Sequence, residues 1–320
     1  MSLAAREIAR TALKLAVSLV AVSILVFVLT VAIPGDPARA VLGKAATPAQ
    51  LSAFDAEHGF DHPLWLQYAD YVSNLLRGNL GTSYASSVSV ASLVLPRLCR
   101  TLFLVLFGWT IAAVLSLSVG LASGRRAGRA FDSVVSVVTL VVSATPEFMI
   151  GLLLAFVIGY HLGWLPTDSS SAGFYDVPWP ALSSYVLPSI AVALTISPYV
   201  TRLARANARE VMGEPYIRAA LLRGVGGARL TARHVLPNAS PPVVNALALQ
   251  FAGSIGGVVV TETVFGFPGI GQLLVQAVGE RDLAVVQAIA LIIGGAYVVI
   301  NVLADAVVRL VTPRLRGAQA

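Results

Sequence analysis

The sequence predicts an all-α integral membrane protein with six transmembrane helices and a structured extracytoplasmic segment after the first. Three observations predict it. The chain is 57% hydrophobic and 12% charged, with a mean hydropathy of +0.80, where soluble domains carry roughly 25% charged residues. Its apolar runs exceed the ~18 residues that mark a spanning helix and do not alternate in polarity as barrel strands would. Its Lys and Arg residues gather in some inter-span loops and are absent from others. Helices are the expected solution because lipid offers no water to unpaired backbone groups.

The spans are expected near 9–33, 101–123, 133–160, 184–204, 241–262 and 284–310. Arg6, Arg10 and Lys14 precede the first run in the manner of a signal peptide, but no small-residue cleavage site closes it before Ile33, so it reads as a retained span. Arg125, Arg126 and Arg129 mark the loop after the second span, and Arg314 and Arg316 the C-terminal tail. The loop 161–183 holds Asp168 and Asp176 with no Lys or Arg, and 263–283 sets Arg281 against Glu280 and Asp282. Basic loops stay in the cytoplasm, so both termini are expected there.

The segment 34–100 follows the Pro34-Gly35-Asp36-Pro37 turn. Thr47-Pro48-Ala49-Gln50 is a capping-box signature for a helix over 48–58 that stops at Gly59. A second helix, from Pro63 to Arg77, spaces Leu64, Tyr68, Tyr71, Val72 and Leu75 on one face and stops at Gly78. The segment reads as a lid on the membrane face or as a docking surface for an extracytoplasmic partner.

Spans three and four are irregular. Pro146 lies inside the third, Pro188 and Pro198 inside the fourth, and proline kinks a helix by removing a hydrogen bond. Glu147, halfway along the third span, is a candidate pathway residue because an intramembrane charge is costly; the alternative is a carboxylate satisfied at the Pro146 kink. Glu262, a second pathway candidate, precedes the return Phe265-Gly266-Phe267-Pro268-Gly269-Ile270-Gly271, which reads as a gate or as a packed turn. Asn301 and Asp305, four apart, suit an inter-helix hydrogen bond.

Several chemistries are excluded or weak. Gly43-Lys44-Ala45 lacks the Ser or Thr of a phosphate-binding loop, and Ala38 stands where its earlier Gly belongs. Any ATP is therefore hydrolysed by another chain. Cys99 is the single cysteine, and the four His residues are scattered, so no metal site is expected. No expected span contains a His, which leaves an intramembrane hydrolase without its base. The net charge of +6 belongs to membrane topology rather than to nucleic-acid binding.

The stretch 201–242 is polar and Arg-rich between two apolar spans. Arg202, Arg205 and Arg209 form a solvated stripe continuing span four, which breaks at Met212-Gly213. Glu214 and Pro215 then start a short helix over Tyr216 to Arg223 that Gly224 closes. Glu214 and Arg218 stand four apart, and Ala219 and Ala220 leave room for another protein's backbone. A return segment, Ala228 to Leu236, stops before Pro237. A loop resting on lipid headgroups would need only the basic residues, not a capped small-residue helix bounded by glycines.

Ala219-Ala220, three residues, Gly224, nine residues, then His234-Val235-Leu236-Pro237 resembles the cytoplasmic loop of binding-protein-dependent ABC importer permeases. The family's loop carries Glu before its Ala pair, where this chain has Arg218. Further stretches resemble the dipeptide/oligopeptide/nickel subgroup, in particular its first permease subunit. They are His58-Gly59-Phe60-Asp61-His62-Pro63-Leu64, Gly78-Asn79-Leu80-Gly81-Thr82-Ser83, Leu165-Pro166, Glu262-Thr263-Val264-Phe265-Gly266 and Thr312-Pro313-Arg314.

The resemblance implies the type I ABC importer permease fold in a bacterial plasma (inner) membrane. Its parts would be a tail and first span (1–33), the extracytoplasmic segment (34–100), and a permease core (101–320) with the coupling loop at 205–240. It also implies a second homologous permease, two cytoplasmic ATP-binding subunits carrying ATP and Mg, and an extracytoplasmic substrate-binding protein. This chain would bind no cofactor and catalyse nothing. Glu214, Pro215, Tyr216, Arg218, Ala219, Ala220, Arg223 and Gly224 would form the ATPase-coupling helix. Di- or oligopeptides are the expected substrates, with nickel or another small solute, or a non-transporting scaffold or sensor, as alternatives. A secondary transporter would call for an inverted repeat or paired broken helices, and none is visible in the sequence.

Overall fold

A computed structural model describes residues 3–32, 37–43, 45–170 and 178–311. The turn residues Pro34, Gly35 and Asp36, together with Lys44, Asp176 and the Thr312-Pro313-Arg314 motif, lie outside the described residues, as do the side chains of Arg6 and Asp305. The described residues are almost all helical, with one isolated β-bridge, Thr82 to Ser89. In chain order the helices are α1 (Leu3–Val31), α2 (Pro37–Leu42), α3 (Pro48–His58), α4 (Leu64–Leu76), α5 (Val90–Arg125), α6 (Ala130–Ala144), α7 (Glu147–Leu154), α8 (Pro178–Gly213), α9 (Pro215–Leu222), α10 (Gly227–Leu230), α11 (Leu236–Val264), α12 (Ile270–Glu280) and α13 (Leu283–Val311). π-helical turns extend α7 over Ala155–His161 and join α10 to α11 over Thr231–Val235.

Four helices are long and apolar enough to cross a membrane unbroken: Arg10–Val31, Val90–Arg125, Leu182–Gly213 and Leu283–Leu303. The other two expected spans are bent pairs, Ala130–Ala144 with Glu147–His161 at 108°, and Gly227–Phe251 with Gly253–Val264 at 54°. The count of six is reached by taking each pair as one span. Two corrections follow. The third segment is not a kinked rod, because the residue before a proline is pushed out of the helical region; Thr145 is extended (φ −87°, ψ 127°) and α7 restarts after Pro146. The second correction is that the fifth segment bends inside α11, so two bent segments, which the sequence did not reveal as a pair, are present.

Pro188 and Pro198 behave differently: α8 runs unbroken through both. Pro188 cannot use the carbonyl four residues back, and that carbonyl, on Ser184, accepts from the Ser169 hydroxyl instead (2.7 Å). Likewise Pro237 does not stop the return segment, which passes through its π-helical turn straight into α11.

The chain divides into two compact units, Met1–Thr101 with Pro268–Val299, and Leu102–Phe267 with Ile300–Ala320. In the first, the Thr47 hydroxyl accepts from the Gln50 N–H while the Gln50 side chain accepts from the Thr47 N–H, and Gly59 ends α3 in the left-handed region. Val90, Val94, Ile270, Leu273, Val285 and Ile289 form its core. Buried Asp282 accepts from the Ser83 hydroxyl and the Tyr84 N–H, anchoring the 82–89 loop to the start of α13.

In the second unit α5 lies against α8 along a seam of small residues. A Cβ on Gly120 would fall 2.6 Å from the Ala204 Cβ, and one on Gly124 2.5 Å from the Arg205 carbonyl oxygen. Backbones this close exclude any larger residue, as in small-residue membrane interfaces. Phe265 and Phe267 are fully buried, and the Phe265 carbonyl accepts from the Ser169 N–H (2.8 Å). Of the two readings of the 265–271 return, its first residues are therefore a packed turn.

Candidate functional site

The polar stretch folds into α9 and its supports. Glu214 is extended (φ −68°, ψ 143°) and Pro215 takes the first helical position, where a missing N–H costs nothing. At the other end the Gly224 N–H donates to the Leu221 carbonyl (2.9 Å) and the Val225 N–H to the Ala220 carbonyl (3.0 Å). This is a Schellman ending, and it requires the left-handed backbone that Gly224 adopts at φ +81°. The helix is one residue shorter at its end than the sequence suggested, with Arg223 as cap rather than body.

One face of α9 is sunk in the chain itself. Ile217 and Ala220 are buried with Ala208 and Val211 of α8, Leu121 of α5, and Leu230, Val235 and Ala239 beyond the helix. This corrects the contact face expected from the Ala pair: Ala220 faces inward, and only Ala219 is open. The outer face carries Tyr216, Arg218, Ala219, Leu221, Leu222 and Arg223, with Leu222 90% exposed. No ion pair joins the Glu214 and Arg218 side chains, both exposed, among the described residues.

Sequence reasoning missed the anchor of this assembly. Asp132, 3% exposed, accepts from Arg205 Nε (2.5 Å) and Nη2 (2.8 Å), from the Ser123 hydroxyl (2.6 Å) and from the Gly128 N–H (2.9 Å). One carboxylate thus ties the ends of α5 and α6 to α8, one turn before Ala208. Arg205 is not part of a solvated stripe, whereas Arg202 stays exposed and donates to the Ser143 hydroxyl of α6 (2.7 Å). The signal in the sequence was an acid beside a basic loop, with no hint of which Arg it meets.

The pathway candidates are placed on neighbouring helices. Glu147 opens α7, half-buried, and its Oε1 accepts from the Thr261 hydroxyl of α11 (2.6 Å), while Oε2 lies over Gly257. Glu262, the next residue on α11, is completely buried. Glu147 thus meets α11 along the face that carries Gly257 and Thr261, while Glu262, one residue on, points to a different side of the helix.

A family model described as the inner membrane component of binding-protein-dependent transport systems matches residues 116–317, and the N-terminal model of such membrane components matches 4–105. The chain belongs to this family. It is similar to a probable peptide ABC transporter permease of Sinorhizobium fredii (33% identical, covering 92% of this chain and 94% of the relative). A dipeptide transport system permease of Alkalihalophilus pseudofirmus is 29% identical, covering 93% and 95%. A glutathione transport system permease of Escherichia coli K12 is 32% identical, covering 92% and 94%. The chain is thus a multi-pass membrane permease of the ABC type. In this permease the 116–317 match takes in α9, the Asp132 anchor and the Glu147–Thr261 contact.

Proposed function

We propose that this permease imports di- or oligopeptides and that α9 is the coupling helix through which ATPase closure reaches the transmembrane helices. The observation that carries the reading is the two-faced build of α9. Its inner face is locked by Ile217 and Ala220, while its outer face ends in Leu221 and the 90% exposed Leu222. Exposed apolar side chains clustered on a short polar loop mark a surface made to be covered. The covering partner is one of two cytoplasmic ATP-binding subunits, which hold ATP and Mg, with this chain non-catalytic and free of cofactors. A second homologous permease and an extracytoplasmic substrate-binding protein complete the complex, and both termini lie in the cytoplasm. Because α9 packs on α8 and on the start of α11, a push on Leu222 moves those helices with it as a rigid body.

The peptide assignment rests on the named substrates of the relatives, dipeptide and glutathione among them, and it favours peptides over nickel. Leu222→Asp changes only the outer face; the ATPase subunits are expected to co-purify with the variant at least tenfold less than with wild type, while membrane insertion is unchanged. Recovery of the intact complex would sink the docking role. Glu147→Gln is expected to lower uptake of peptides with a free amino terminus several-fold relative to N-acetylated ones. Equal loss for both would leave Glu147 a packing residue.

A further inference from the structure

Within the unit formed by Met1–Thr101 and Pro268–Val299, a half-open cavity of about 390 Å³ lies among α1, α4, the 79–84 loop and the start of α13. That volume falls in the range of small-molecule sites. Its lining mixes apolar side chains, Phe27, Leu283 and Leu291, with polar ones, Gln67, Asp70, Tyr71, Asn74, Tyr84 and Gln287.

Two of the lining amides spend donors within the chain. Gln67 spends its N–H groups on the Phe60 and His62 carbonyls, and Gln287 donates to the Thr30 hydroxyl, so the bonds formed use the donor ends of both amides. Asp70 brings a carboxylate, the one acidic group at the wall, and no Lys or Arg lines it. The Tyr71 hydroxyl is buried and has no hydrogen-bond partner among the described residues. A buried hydroxyl without a partner calls for an explanation, and Tyr71 lines this cavity. Burial, with Tyr68 alongside, pushes the Tyr71 phenol up to about 12, so it stays an uncharged group able to accept. Aromatic faces add to the attraction for a cation.

We infer that this cavity is a binding site for a primary ammonium group carried on a short apolar body, with Asp70 and Tyr71 as its direct partners. Carboxylate, amide oxygens, a neutral hydroxyl and aromatic rings together recognise R–NH3⁺, and the cavity has no Lys or Arg to attract an anion. The same chemistry is presented by the amino terminus of a peptide and by an ethanolamine lipid headgroup, and Phe27 of α1 gives an apolar contact to either.

The test uses the whole transporter complex in nanodiscs of phosphatidylglycerol alone. Equilibrium dialysis should show saturable binding of butylammonium, at least tenfold tighter than N-butylacetamide, weakened at least tenfold by Asp70→Asn and several-fold by Tyr71→Phe. Tyr71→Phe removes only an unpartnered hydroxyl, so it leaves the fold intact and its loss reads on the ligand. The source is then read by adding either alanyl-alanine or phosphatidylethanolamine: competition by the first identifies a peptide amine, and competition by the second a lipid. No saturable butylammonium binding, or binding unaffected by both variants, overturns the site. Neither arm depends on ATPase docking or transport.

Discussion

Replacing Gly224 with valine is expected to cut substrate-stimulated ATPase activity of the assembled transporter at least tenfold while leaving insertion and yield of the permease intact. Gly224 stands at φ +81°, and nothing lies within 4 Å of a Cβ placed there. The cost is therefore backbone strain rather than a clash, roughly 1–2 kcal/mol for an ordinary residue in the left-handed region and more for a β-branched one. The strain opens the Schellman ending, which releases the Ala220 and Leu221 carbonyls and lets the outer face of α9 rotate off its base. Asparagine tolerates this backbone, so Gly224→Asn should keep most of the coupling and Gly224→Ala should fall between. Equal ATPase stimulation in all three variants would show that the end of α9 transmits nothing.

The second large effect is expected at Asp132. Asp132→Ala leaves the Arg205 guanidinium, 28% exposed, facing a space its partner no longer fills, and removes the acceptor for Ser123 and Gly128. Breaking a buried ion pair from one side costs about 3–5 kcal/mol. The purified permease should lose ligand-independent thermal stability by many degrees, and coupling should fail because α8 no longer holds α9 in register. The double variant Asp132→Ala with Arg205→Met should recover a large part of the stability, since the uncompensated charge is gone. If the single and double variants melt together, the pair does not carry the load assigned to it here.

The residues that the sequence made legible are those governed by their immediate neighbours. Thr47 and Gln50 form their capping box, Gly59 and Gly224 end their helices in the left-handed region, and Pro215 starts α9, because each of these depends on four or five consecutive residues. Long apolar runs likewise determined which segments are membrane helices, and the order of motifs along the chain resembles one permease family that the family models then matched across nearly the whole chain.

What the tertiary structure alone decided involves partners far apart in sequence. Arg205 reaches Asp132, 73 residues away, Thr261 reaches Glu147, 114 away, and Ser169 takes the carbonyl that Pro188 cannot use. The inward turn of Ala220 belongs to the same class, since spacing shows that two alanines share a helix but not which one meets Val211 and Leu230. Local sequence specifies backbone geometry, because sterics and capping act over one turn. Which charge is paired, which proline breaks a helix and which face of α9 stays open are set by packing across helices, where the low dielectric makes an unmet polar group costly and so selects the contact.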